Sequence, residues 1–314
     1  MDKSLVTSKF SIIIYCDGGL ANRINCLING LVLARRFDVE YKVYWPINRY
    51  CEVGLDELID VPFPVVNEGK AAIKLLGETG IVADDNFILA PEKYWINPRK
   101  ANSYDFTLSG VRNLFCFVDV VLVFFPMPNY EFRGDFLSIL RELLGCRIFA
   151  FVNLDHEIKH LGLQYPYWGL HMRGTDARKS TSYYIFFRKL ASLLPGRVYL
   201  ATDDSDLQKF FSHSTNILYR KHGVKVGKTS ISSDWIYKSL DENGELLPYN
   251  VRRTRDCVLD AIVDLLLLSR SSLILTSSST YLELAANISN KKFSFVRAFF
   301  YAKYIFRVFL NRYK

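Results

Sequence analysis

Along the chain, short apolar runs rich in β-branched residues alternate with longer stretches whose apolar positions recur at helical spacing. That is the pattern of strands feeding helices. Ser11 to Cys16 (SIIIYC) reads as a buried strand, and the tight stretch DGGLANR follows it. Ile24, Leu27, Ile28, Leu31 and Val32 then mark a helix to about Arg36. Tyr41 to Trp45 is the next strand, stopped by Pro46. This βαβ unit puts the glycine-rich loop at the carboxyl end of a parallel strand, where open α/β sheets bind ligands.

From about residue 50 to 130 the pattern is punctuated by prolines at 62, 64, 91, 98, 126 and 128. An apolar run at Phe115 to Phe125 predicts one strand there, and Phe136 to Leu144 predicts a helix. A boundary is expected around Leu161 to Pro166, and after it the alternation becomes regular. Tyr167 to Met172 reads as a strand, and a helix is expected near Tyr183 to Leu193. Arg197 to Asp204 is a strand entering an acidic turn, where Asp204 or Ser205 caps a helix through Phe211. NILY is a strand, Thr254 to Ser269 a long helix, Leu273 to Ser278 a strand, and Ser279 to Ala286 the start of another helix. The expectation is an α/β protein of two doubly wound, mostly parallel halves, residues 1–162 and 163–314, facing a cleft.

Composition narrows this picture. With 314 residues, half of them hydrophobic and 15% aromatic, the chain can bury a large interior and is not disordered. Its six cysteines are scattered, so reduced, buried thiols are expected rather than a disulfide framework. The five histidines show no metal-ligand spacing, and no bound metal is expected. The polar opening MDKSLVTSK gives no signal-peptide pattern, and the longest apolar runs are too short to span a bilayer. These features predict a cytoplasmic protein. Forty basic and 32 acidic residues leave a net charge of +8, compatible with an anionic substrate, nucleic acid or a membrane surface.

Four stretches offer chemistry. In DGGLANR, Gly18 and Gly19 let the backbone approach a ligand, the helix N-terminus follows, and Asn22 and Arg23 add donors for an anion. In HMRGTD, Arg173 can fork two donors onto a phosphate, His171 alternates with it, and Asp176 can orient either. Taken alone, that motif reads more simply as an Arg–Asp pair neutralising itself. In ATDD, Asp203 and Asp204 can accept from ribose or a base, or cap the next helix. In LTSSSTYLELA, Ser278, Ser279 and Thr280 can cradle a phosphate at a helix N-terminus, or simply cap it. All four fall at strand carboxyl ends, where a cleft ligand sits.

In this order the motifs resemble the superfamily of α1,2-, α1,6- and protein O-fucosyltransferases. The resemblance covers the loop at 18–23 and most of 167–289. It implies a GT-B fold, GDP-fucose as donor, inversion at the anomeric carbon and no required metal or cofactor. It also implies that Arg173 binds the β-phosphate, that His171 contacts the nucleotide and that Asp264 reads guanine. Ser278, Ser279 and Thr280 would hold the pyrophosphate, Asp203 lies in the second motif, and Gly18, Gly19, Asn22 and Arg23 would line the cleft. The α1,6 enzymes carry two consecutive arginines where this chain has Arg173 and Gly174, which sets it apart from them. Their base glutamate aligns near Thr181, so the candidate bases are the local Asp17 and Asp176. A pathway in which the diphosphate takes the proton is the alternative.

The tail Phe293 to Lys314 is aromatic and basic, with Lys303, Arg307 and Lys314 on one helical face. It reads first as a terminal helix packing across the halves, and second as a segment at the inner face of an anionic membrane, beside a lipid-linked acceptor. The expected partners are thus a nucleotide sugar and an oligosaccharide or glycolipid acceptor. Two other readings stand beside this one. One is a glycosyltransferase using another nucleotide sugar on a nucleic-acid or protein acceptor, and the other is a non-catalytic nucleotide-sugar binder.

Overall fold

A computed structural model describes residues 11–16, 18–48, 50–60, 63–65, 81–84, 88–89, 120–124, 133–145, 149–174, 180–221, 227–228, 251–276 and 279–289. The chain divides into two compact units, Met1–Ala150 and Phe151–Lys314.

The first unit contains strands β1 (Ser11–Tyr15), β2 (Glu40–Tyr44), β3 (Ile81–Asp84), β4 (Ile88–Leu89) and β5 (Val120–Phe124). They form one sheet in the order β2-β1-β5-β3-β4, parallel except for the β3–β4 pair. Helices α1 (Leu20–Phe37), α2 (Leu55–Leu58) and α3 (Arg133–Gly145) accompany it. Ile12 and Ile14 are fully buried, as are Cys26, Leu27 and Ile28 of α1. Burial of such side chains stabilises the unit by about 1.5–3 kcal/mol each. The double arginine at the end of α1 is locally neutralised: Arg35 makes two 2.7 Å hydrogen bonds to Glu142 of α3, and Arg36 pairs with Asp135.

The second unit has a four-stranded parallel sheet in the order β11-β6-β7-β8. These strands are β6 (Trp168–Met172), β7 (Val198–Thr202), β8 (Ile217–Leu218) and β11 (Leu273–Thr276). A two-residue antiparallel pair, β9 (Gly227–Lys228) with β10 (Val251–Arg252), lies apart from it. The helices are α4 (Leu154–His160), α5 (Thr181–Leu193), α6 (Ser205–Phe211), α7 (Arg255–Arg270) and α8 (Thr280–Ile288). Tyr184, Phe187 and Ala191 line the inner stripe of α5 and join Leu170, Met172, Val198, Leu200 and Phe211 in the core. Caps end the helices as their residues dictate. Asp204 accepts from Asp206 N and Leu207 N, Thr254 from Cys257 N, and Ser279 from Leu282 N.

Among the described residues, no helix is long and apolar enough to cross a membrane. No group of three or more His, Cys, Asp or Glu side chains there is placed to hold a metal ion.

Candidate functional site

In the second unit the sheet register places the chemistry at one edge. Thr276 of β11, His171 of β6 and Ala201 of β7 stand side by side in the parallel ladder. Arg173 follows β6 and Asp203 follows β7 directly at this edge, and Ser279 and Thr280 open α8, whose Tyr281 stacks on His171.

The β6 exit is pinned from two sides. Tyr184 OH, on α5, donates to Arg173 O at 2.8 Å, and Gly174 N donates to Asp203 Oδ1 at 2.8 Å. Asp203 is thus an acceptor for the loop that carries Arg173. Gly174 itself is buried, and any Cβ there would lie 2.3–2.7 Å from the Asp204 side chain. The Arg173 side chain is half-buried at this edge.

His171 stacks on Tyr281 of α8, with ring centroids 5.1 Å apart. Burial and the neighbouring Arg173 charge lower its pKa from the ordinary value to about 3, so the imidazole is neutral at physiological pH. A neutral imidazole offers one donor and one acceptor nitrogen to a ligand. Tyr281 OH in turn donates to Ala261 O on α7. Burial and the nearby Asp264 and Asp203 carboxylates hold that phenol well above its usual pKa.

Behind this pair lies a polar cluster. Asp264, 6% exposed on α7, accepts from the buried Tyr199 OH at 2.5 Å. Arg220, just after β8, reaches Asp260 at 2.7 Å, Glu157 of α4 at 3.4 Å and Asp264 at 4.0 Å. Burial works against the Arg220 charge, but Asp264 and Asp260 raise its pKa above the ordinary value. Gln208 fixes the backbone of this arginine by donating to Arg220 O at 3.1 Å.

In the first unit, Gly18 has φ +80°, a left-handed conformation that suits glycine, and Gly19 is the N-cap of α1. Asn22 is half-buried on the first turn of α1. Arg23, expected as a donor for an anion, is instead 0% exposed. Its Nε donates to Gly18 O at 2.7 Å, one terminal nitrogen to Pro46 O, and the other to Asn48 Oδ1 at 2.7 Å. The guanidinium also lies 5.4 Å from the Trp45 ring centroid. Arg23 therefore ties the loop after β1 to the loop after β2, and its charge is satisfied inside the unit.

The candidate bases Asp17 and Asp176, the pyrophosphate candidate Ser278 and the basic tail 293–314 lie outside the described residues. Thr181, where a glutamate base would align, is exposed on the first turn of α5. The sequence reading did not single out Tyr184, Tyr199, Arg220 or Tyr281. Only Tyr281 carried a local signal, standing directly after the hydroxyl cluster in TSSSTY.

No protein-family model matches the chain, and no curated protein matches it in sequence. Solved structures do. NodZ alpha-1,6-fucosyltransferase soaked with GDP-fucose superposes with a TM-score of 0.50 at 14% identity, over 89% of this chain and 92% of that one. Fucosyltransferase NodZ from Bradyrhizobium gives 0.49 at 13% identity, over 88% and 93%. A mutant of Arabidopsis thaliana FUT1 in complex with GDP gives 0.47 at 13%, over 89% of this chain and 68% of its own. The first of these superpositions carries the fold: mixed α/β with parallel sheets, GT-B-like, as in solved fucosyltransferases.

Proposed function

We propose that this chain is an inverting, metal-independent fucosyltransferase that moves fucose from GDP-fucose to a hydroxyl of an oligosaccharide or glycolipid acceptor. The observation that supports the proposal is the edge in the second unit where β11, β6 and β7 end in register, with Arg173 and Asp203 next in the chain and Tyr281 of α8 stacked on His171. Similarity of fold to a fucosyltransferase soaked with GDP-fucose supports it.

In this reading the acceptor oxygen bonds to the anomeric carbon from the face opposite the diphosphate. The bond from that carbon to the β-phosphate oxygen breaks, and its electron pair leaves with GDP. The charge that develops on the diphosphate is stabilised by Arg173, by the N–H groups at the start of α8, and by the hydroxyls of Ser278, Ser279 and Thr280. These groups supply what a metal ion supplies in other transferases. Neutral His171 contacts the nucleotide, and Asp264 reads guanine. The acceptor proton passes to Asp17 or Asp176, or to the departing diphosphate itself. Gly18, Gly19 and Asn22 present the loop of the first unit.

A thermal-shift screen with GDP-fucose and GDP-mannose, followed by turnover on a glycan acceptor panel, tests this reading. Stabilisation by GDP-fucose together with release of GDP supports it. No binding or turnover with either donor overturns it.

A further inference from the structure

Guanine presents two adjacent donors on its Watson–Crick edge, N1–H and the 2-amino group. An ionised carboxylate accepts both, whereas a protonated carboxyl puts a donor where an acceptor is needed. Asp264, assigned above to guanine, is a buried acid in acidic company. The charged and titratable groups on the elements packed around its helix are Asp260 on the helix itself, Glu157 on α4, Tyr167 just before β6 and His171 on it, Tyr199 on β7, Arg220 after β8, and Tyr281 on α8, whose phenol also feels Asp203. Crowded carboxylates favour uptake of a proton, and a nearby cation opposes it. Arg220 is the cation in contact with three of these carboxylates.

We infer that Arg220 is a positioning residue for nucleotide choice: it keeps Asp264 ionised and turned so that a diphosphate nucleotide is selected by its guanine base. The geometry fits that role. Arg220 bonds Asp260 at 2.7 Å and stands 4.0 Å from Asp264, so it supplies charge to the Asp264 carboxylate without a close hydrogen bond to it. Tyr199 OH orients the carboxylate from the sheet side at 2.5 Å. This inference rests on the GDP-fucose reading and extends it to the source of base specificity.

The test is calorimetric titration of the full chain with GDP and with inosine 5′-diphosphate, which lacks the 2-amino group, from pH 5.5 to 8. The parent protein is expected to prefer GDP by roughly tenfold or more, the value of one charge-assisted hydrogen bond, with little change across this range. In Arg220→Gln the GDP preference collapses at pH 5.5 to 6 and recovers toward pH 8. Arg220→Lys retains most of it. Tyr199→Phe, which removes one hydrogen bond and leaves the cation, shifts the profile in the same direction by less, and it serves if Arg220→Gln does not fold. The inference is overturned if Arg220→Gln, or Tyr199→Phe in its place, keeps the parent's GDP preference at every pH. It is also overturned if affinity for both nucleotides falls equally and independently of pH, the mark of a merely structural role. Failure of the parent protein to bind either nucleotide removes the GDP-fucose reading itself, and this inference with it.

Discussion

Gly174 lies against Asp204 with no space between them: a Cβ at position 174 would fall 2.3 Å from Asp204 Oδ2 and 2.4 Å from its Cβ. The clash includes an atom fixed to the backbone, and the Asp204 carboxylate is already held as the N-cap of α6. Neither partner can yield cheaply. Gly174→Ala is therefore expected to destabilise the protein by about 1–3 kcal/mol through overpacking, read as a lower urea midpoint. Gly174→Arg, which imitates the double arginine of the α1,6 enzymes, is expected to cost more and to release no α1,6 product. An Ala variant with an unchanged midpoint would show that the loop opens freely.

Arg173 differs from its neighbour because its side chain is half-buried at the edge while its backbone carbonyl accepts from Tyr184 OH. Truncation at Cβ keeps this backbone bond. Arg173→Ala is expected to lower kcat by about 10²–10³-fold, the usual effect of losing one donor aimed at developing charge, with the thermal midpoint nearly unchanged. Arg173→Lys restores the charge but not the fork, and recovers part of the loss. Equal turnover in Arg173→Ala and the parent would remove this residue from the leaving-group site.

Much of the regular frame was legible in the chain. The apolar run at Ser11 is buried as β1, the helical spacing from Ile24 is α1, and Thr254 and Asp204 cap the helices they precede. What escaped was short or weakly patterned. Helix α4 has one buried residue, Ile158, and therefore no periodicity to read. Strands β3 and β4 sit in the proline-punctuated stretch, and β9 and β10 are two residues each. The same division holds at the site. Residues that follow a strand directly, such as Arg173 and Asp203, stand out as candidates because strand exits are local. Arg220 does not, because its partners Glu157, Asp260 and Asp264 are brought to it only by the fold. Arg23 was read as an open donor because the sequence cannot show Pro46 O and Asn48 already bound to it.

The burial of Arg23 has its own consequence. Arg23→Met keeps most of the packing volume but leaves Gly18 O, Pro46 O and Asn48 Oδ1 without their charged donor. Asn48 Oδ1 keeps the Tyr50 N–H at 3.0 Å, but a buried acceptor that loses its donor costs about 1–3 kcal/mol, so a loss of about that size is expected in chemical denaturation. Arg23→Lys reaches fewer of the three and is expected to fall between. A change confined to donor affinity, at full stability, would instead favour Arg23 as a ligand contact.

His171 gives a pH signature whose sign follows from its shift. Its pKa is about 3 in the folded chain, against an ordinary value of about 6.5 when unfolded. Between these limits the unfolded state binds more protons, so stability rises with pH through this window and falls as the solution is acidified from pH 6.5 toward 3. One such group contributes a slope of at most about 1.4 kcal/mol per pH unit. His171→Gln removes the titration while keeping a neutral polar side chain beside Tyr281. Its unfolding free energy is expected to vary less steeply between pH 4 and 6.5 than that of the parent protein, with the two curves parallel above pH 7. Equal slopes in the acidic window would mean that His171 titrates in the folded state near its ordinary value.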